Sequence, residues 1–194
     1  MSARRARRGT VLAGAVAALL HATGCTSATE TTDAPLPDGW VRRTQGAVSV
    51  AVPQEWVEVD GGAEIWPVGW ADAEIESAEN LMLVSPAFGD GGAEHGRDTF
   101  IAGAHLGGIG YTSEGFSDDV TAAGAELFRN DYTYDGVEEG DRWQGVFWAV
   151  ADPESGQTVA VQLMGPTLDD EFVAQVEASI RIVEDVEDTD DVEG

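Results

Sequence analysis

The 194-residue sequence predicts an α+β domain, an antiparallel sheet covered by helices. Three observations lead there. Ala125 to Tyr134, Arg142 to Ala151 and Gln157 to Met164 are apolar-rich runs separated only by turn-forming stretches, the pattern of an antiparallel meander. Val48, Val50 and Val52 alternate with Ser49 and Ala51, which supplies a further strand. From Asp169 to Ile182, the residues Phe172, Val173, Val176 and Ile180 fall on one stripe of an amphipathic helix.

In chain order, the first element is a head rather than part of the fold. Arg4, Arg5, Arg7 and Arg8 precede an apolar stretch from Gly9 to Leu20, and Ala22-Thr23-Gly24 lead to Cys25, the single cysteine. The apolar stretch is shorter than the about 20 residues a spanning helix needs, so it reads as a cleaved secretion signal. Small residues directly before a cysteine resemble the bacterial lipobox, usually Leu-Ala/Ser-Gly/Ala-Cys. That resemblance implies that residues 1–24 are a lipoprotein signal peptide and that Cys25 becomes the first residue, carrying acyl chains of the palmitate type. Two chains hold stably where one binds only marginally. Cleavage after Ala28 is the alternative, and it would discard Cys25. Arg7-Arg8 leaves the Sec and Tat export routes both open.

Residues 25–39 then read as the lipidated cysteine and a flexible tether, polar and punctuated by Pro35 and Pro37. As a coil the tether reaches roughly 20 Å. A single α+β domain is expected over residues 40–183. After the valine strand, Pro53-Gln-Glu-Trp56 turns the chain, and Trp56 to Val59 returns toward a turn at Asp60-Gly-Gly. Glu64 to Trp70 is a strand broken by Pro67, and Asn80 to Ser85 another. Residues 98–109 suggest a helix starting at Asp98 or Thr99 and weakened by Gly103, Gly107 and Gly108. In the meander, Arg142 to Ala151 is apolar on both faces and is expected to be covered on both. The last eleven residues, Glu184 to Gly194, hold seven acids and read as an acidic disordered tail.

The opening Ala47-Val-Ser-Val-Ala-Val-Pro-Gln-Glu-Trp56 resembles the strand and Pro-x-x-Trp start of PsbP-like α/β/α sandwich proteins. Val159-Ala-Val-Gln-Leu, followed by a helix closing in Glu177-Ala-Ser-Ile-Arg-Ile182, is similar to their final strand and helix. Actinobacterial LpqN-type lipoproteins share that layout behind a lipobox. The resemblance covers roughly Trp40 to Ile182. It implies the sandwich fold and a non-catalytic accessory or binding role, and it transfers no functional residue.

Charge narrows the partners. The formal net charge is −26, and all ten basic residues are arginines. Beyond the signal, Arg42, Arg43, Arg97, Arg129, Arg142 and Arg181 face all 36 acids. Such a field repels nucleic acid and anionic head groups. Solubility explains it first, capture of cations or a basic partner second. Without lysine there is no Schiff base and no P-loop lysine. Without a cysteine beyond Cys25 there is no disulfide within the chain.

Candidate chemistry is thin. His95 and His105 lie ten apart with no zinc spacing around them. Ser113, in Gly110-Tyr-Thr-Ser-Glu-Gly115, lacks the first glycine of a nucleophile elbow and reads as a turn. Asp131-Tyr-Thr-Tyr-Asp-Gly136 hints at a calcium loop, but Thr133 and Arg142 stand where ligands belong, and a hairpin turn is the better account. Six tryptophans suit a core and its rim, or a ligand cleft or sugar-stacking face. Trp66 and Trp70, beside Pro67 and Gly69, are the expected binding surface.

These readings predict an extracytoplasmic lipoprotein held in the cell membrane through Cys25, serving as a non-catalytic binding or accessory domain of the cell envelope. A protein or envelope component is the expected partner, with no nucleic acid, metal or cofactor. Two alternatives stand beside it. One is a hydrolase using carboxylates such as Asp118, Asp119 or Glu126. The other is a structural protein that presents charge.

Overall fold

The computed structural model describes residues 35–107, 110–136 and 140–184. The expected signal over residues 1–24, Cys25 and, except for Glu184, the expected acidic tail 184–194 lie outside them. The described elements run β1 (Trp40–Gln45), β2 (Val48–Pro53), β3 (Val57–Ala63), β4 (Trp66–Ala71), β5 (Leu81–Gly89), α1 (Ala93–Gly107), β6 (Thr112–Val120), β7 (Glu126–Asp135), β8 (Arg142–Ala151), β9 (Thr158–Gly165), α2 (Asp170–Ser179) and β10 (Arg181–Ile182).

The expected single sheet is two. A seven-stranded antiparallel sheet has the order β3-β4-β5-β9-β8-β7-β6, and a three-stranded one the order β1-β2-β10. Helix α1 packs on β7, β8 and β9, while α2 packs on β2 and the small sheet meets β5 and β8. The large sheet is therefore covered on one face by α1 and on the other by α2 together with the small sheet. Alternation along β8 serves both layers. Val146, Trp148 and Val150 join the core beneath α2. Phe147, Ala149 and Ala151 join the one beneath α1. The expectation that this strand is covered on both faces holds.

Helix α1 starts at Ala93, five residues before the expected Asp98. Gly92 leads into it at a φ of 85°, and Gly96 donates its N–H to the Gly92 carbonyl at 3.0 Å. Gly96 weakens the helical signal in sequence, yet it sets the packing distance. A Cβ there would stand 3.0 Å from both the Ala149 and Thr158 side chains.

Other expectations are corrected by pairing. Asp60-Gly-Gly is no turn: it lies in β3, where the register with β4 shifts between Asp60 and Ala63. The hairpin turns instead at Glu64-Ile65. Pro67, which has no N–H to give, sits in β4 opposite that irregularity, between residues paired with Ala63 and Asp60. Strands β1 and β6 were not expected. β6 is a polar edge strand with one neighbour, so its sequence lacks an apolar period.

The last helix stops at Ser179, short of Ile182. Ile180 takes extended angles, φ −65° and ψ 133°, and Arg181–Ile182 pair with Ser49 and Val48. That pairing covers part of the open edge of β2. Because β10 is only two residues long, the Ala51 N–H finds no strand partner on that side and donates to the Ser179 hydroxyl oxygen at 2.9 Å. Beyond β10, the Val183 N–H bonds the Ala47 carbonyl at 2.9 Å. At the other end, the chain turns before β1, with the Trp40 N–H on the Pro37 carbonyl at 3.1 Å, so that residues 37–39 of the expected tether are part of the fold.

Candidate functional site

A groove forms where the chain enters β1, where β2 ends and where α2 begins. Trp40 stands opposite Pro53 in the β1–β2 ladder. The Gln54 N–H bonds the Gly39 carbonyl at 2.8 Å, and the Trp56 N–H bonds the Pro53 carbonyl at 3.1 Å. Together these bonds fold Pro53-x-x-Trp56 beneath Trp40. From the other side, the Asp169 carboxylate caps α2, accepting from the Glu171 and Phe172 N–H groups at 3.0 Å each. The cap fixes the first turn and places Phe172 between the two tryptophans, with ring centroids 5.1 Å from Trp40 and 5.6 Å from Trp56.

The resulting cavity measures about 550 Å³. Asp38, Glu55, Asp169 and Glu171 line it along with the three rings. No arginine or histidine among the described residues lines it. Asp38, Glu55 and Glu171 are exposed at its rim. This is an acidic, aromatic-walled groove within the size range of small-ligand sites.

A second cavity of about 180 Å³ lies between α1 and the sheet, walled by Phe100, Tyr111, Tyr132, Tyr134 and Met164. The Gln162 amide donates to the Tyr132 hydroxyl at 2.5 Å, and the Tyr111 hydroxyl donates to Asn130 Oδ1 at 2.6 Å. Burial pushes the Tyr134 phenol up to about 12 and raises Tyr132 as well. The Tyr132 ring lies over Gly145, its cross-strand partner, where a Cβ would collide with it.

The expected site residues are scattered. Trp70 is only 2 % exposed and belongs to the core beneath α2, which corrects its assignment to a surface. Trp66 is half-buried on the other side of the sheet, packed on Phe88 and Phe147 at 5.5 and 6.3 Å. The two therefore form no common face. Gly69, beside Trp70, sits against the Met82 backbone and leaves no room for a side chain. Asp118, Asp119 and Glu126 are exposed on the β6–β7 hairpin, away from the groove. Ser113 lies in β6, not in a turn, and its hydroxyl oxygen accepts from the Asn130 amide at 2.6 Å. Asp131 to Asp135 are strand residues, with Asp131 paired to Arg129 and Asp135 to Arg142. His95 and His105 are both exposed on α1.

Sequence reasoning missed Trp40, Glu55 and Phe172 as a group, although each carried a signal. Asp169 and Asp170 suited a helix start, Phe172 led the apolar stripe, and Pro53-Gln-Glu-Trp56 was expected to turn the chain, as it does, with Trp56 buried in the core.

Neither the known family models nor the curated proteins include a match to this chain. Solved structures do. CyanoP, the PsbP of the cyanobacterium Synechocystis sp. PCC 6803, is 12 % identical, with 75 % of this chain and 93 % of that one covered and a TM-score of 0.50. The Ran-binding protein Mog1p of Saccharomyces cerevisiae is 10 % identical, with 77 % and 97 % covered and a TM-score of 0.50. LpqN of Mycobacterium tuberculosis, involved in cell envelope biogenesis, is 16 % identical, with 73 % and 90 % covered and a TM-score of 0.42. The chain thus has the PsbP-like α+β fold. At these identities the likeness is one of fold. No helix among the described residues is long and apolar enough to cross a membrane.

Proposed function

We propose that this protein is a lipoprotein anchored through Cys25 to the extracytoplasmic face of the cell membrane, where its PsbP-like domain binds a partner of the envelope without catalysis. The observation that carries the reading is the order of the chain's head: basic residues, a short apolar stretch, small residues and a single cysteine, followed by proline-punctuated polar sequence and one folded domain. The acidic aromatic groove supports binding, because three rings and four carboxylates share one cavity. The carboxylates named for the hydrolase alternative lie on an exposed hairpin instead.

Intact mass and membrane fractionation of the protein and of Cys25→Ser, expressed in a bacterial host that processes lipoproteins, test the anchor. A lipid mass increment that disappears with membrane association in Cys25→Ser is the expected result. A soluble wild-type protein without that increment refutes it.

A further inference from the structure

We propose that the groove between β1, β2 and α2 receives a basic segment of a partner protein, with an arginine seated against the half-buried rings of Trp40 and Phe172, which rest on the buried Trp56. This deepens the binding reading above and rests on it. Three features select that occupant.

The first is unbalanced charge within one cavity. Asp38, Glu55, Asp169 and Glu171 line the groove and no arginine of the described residues enters it. Elsewhere three arginines answer acids directly: Arg97 meets Glu94 and Asp98, Arg129 meets Asp131 and Glu177, and Arg142 meets Asp135. The groove therefore has an excess of negative charge that a cationic ligand would complement.

The second is the spacing of the carboxylates. Among the described residues no three acids or histidines are gathered closely enough to hold a metal ion. A hard divalent cation needs converging oxygens. These carboxylates come instead from the chain entry, the β2 turn and the first turn of α2.

The third is the aromatic wall. Guanidinium groups stack on tryptophan and phenylalanine faces, and arginine does so more often than lysine. A volume of about 550 Å³ admits a few side chains, not a single ion. The same rings could stack a neutral sugar, but a sugar gains no charge attraction from the surrounding carboxylates, whereas an arginine does.

The test must separate the groove from the acidity of the whole molecule. The probe is the peptide acetyl-Gly-Arg-Gly-Arg-Gly-amide, titrated calorimetrically against the protein as purified from the expressing cells, at about 0.15 M salt, where charges beyond roughly 8 Å are screened. Trp40→Ala is expected to weaken binding about tenfold. The surface pair Asp38→Asn/Glu55→Gln, which leaves the rings in place, is expected to do the same. The charge-matched pair Asp118→Asn/Asp119→Asn, on the β6 edge, should change affinity less than about twofold. Equal weakening by both carboxylate pairs overturns the proposal in favour of a diffuse field. No peptide binding by the wild type overturns it, as does groove-dependent binding of a neutral chito-oligosaccharide in place of the peptide. Anchoring is read separately by lipid mass, so a lipidated protein that ignores the peptide removes this inference and leaves the anchor standing.

Discussion

Removing the Glu177 carboxylate is expected to destabilise the domain by about 2 kcal/mol, mostly through one hydrogen bond. Trp148 is completely buried at the centre of the large sheet. Its indole N–H donates to Glu177 Oε2 at 2.7 Å, and the same oxygen accepts from Arg129 Nη1 at 3.2 Å. Glu177→Ala leaves a buried donor unpaired, which costs about 1–3 kcal/mol. The ion pair adds little. Its side chains are 25 % and 31 % exposed, and such pairs contribute about 0–1 kcal/mol. Arg129 also keeps Asp131, at 2.6 Å. Burial works against the Arg129 charge, but Asp131 and then Glu177 outweigh it and raise its pKa. Alanine returns a few tenths of a kcal/mol through helix propensity. Urea unfolding of Glu177→Ala should show a lower midpoint at unchanged slope, and heating a loss of about 4–8 °C in Tm. Glu177→Gln retains an acceptor oxygen and should lose less than about 1 kcal/mol. If Glu177→Ala lies within about 0.5 kcal/mol of wild type, water replaces the carboxylate and the reasoning fails. If Glu177→Gln is as damaging as Glu177→Ala, charge rather than hydrogen bonding holds α2 to the sheet.

Ser179→Ala should cost about 1–3 kcal/mol in urea unfolding, because the buried Ala51 N–H loses its acceptor; a change no larger than that of a surface substitution would refute this. Gly145→Ala should destabilise by about 1–3 kcal/mol, since the new methyl displaces the Tyr132 ring from Gln162. Combining it with Tyr132→Leu should recover part of that loss, and strict additivity would show that the ring is not the obstacle. The tyrosines predict alkaline lability. Burial raises the Tyr134 pKa above its unfolded value, so its contribution is complete below about pH 10 and is lost as pH rises toward about 12. Tyr132 and Tyr111, also raised by burial, act in the same direction. Tyr134→Phe should move the alkaline unfolding midpoint upward, and tyrosinate absorbance should rise together with unfolding rather than before it.

The groove changes how the tryptophans are read. Trp148, Trp70 and Trp56 build the central core, Trp66 packs under the α1 side, and Trp40 with one edge of Trp56 lines the groove. Exposure beside proline and glycine was a poor guide. Pro67 occupies a register irregularity inside a hairpin, and the strand around it is paired on both sides. Side-chain type alone does not distinguish these positions, since a tryptophan in a core and one in a groove bury similar areas.

Local chemistry was sufficient for much of the fold. The valine alternation of β2, the three runs of the meander and the stripe of α2 each carry their own period, because one or both faces must be buried. The proposed signal and Cys25 anchor likewise rest on order and composition. Elements whose logic is non-local could not be read this way. β6 is polar because it has one neighbour and an open edge. β10 exists only because β2 offers unpaired backbone groups, and the first turn of α1 carries Gly96, whose close approach to Ala149 and Thr158 leaves little room for a side chain. The groove belongs with these. Asp38, Trp40, Glu55, Trp56, Asp169 and Phe172 come from three separate stretches of chain, and only closure of the small sheet against α2 brings them together. Periodicity records which face of an element is buried, whereas a site depends on which elements become neighbours, and that is settled by long-range packing.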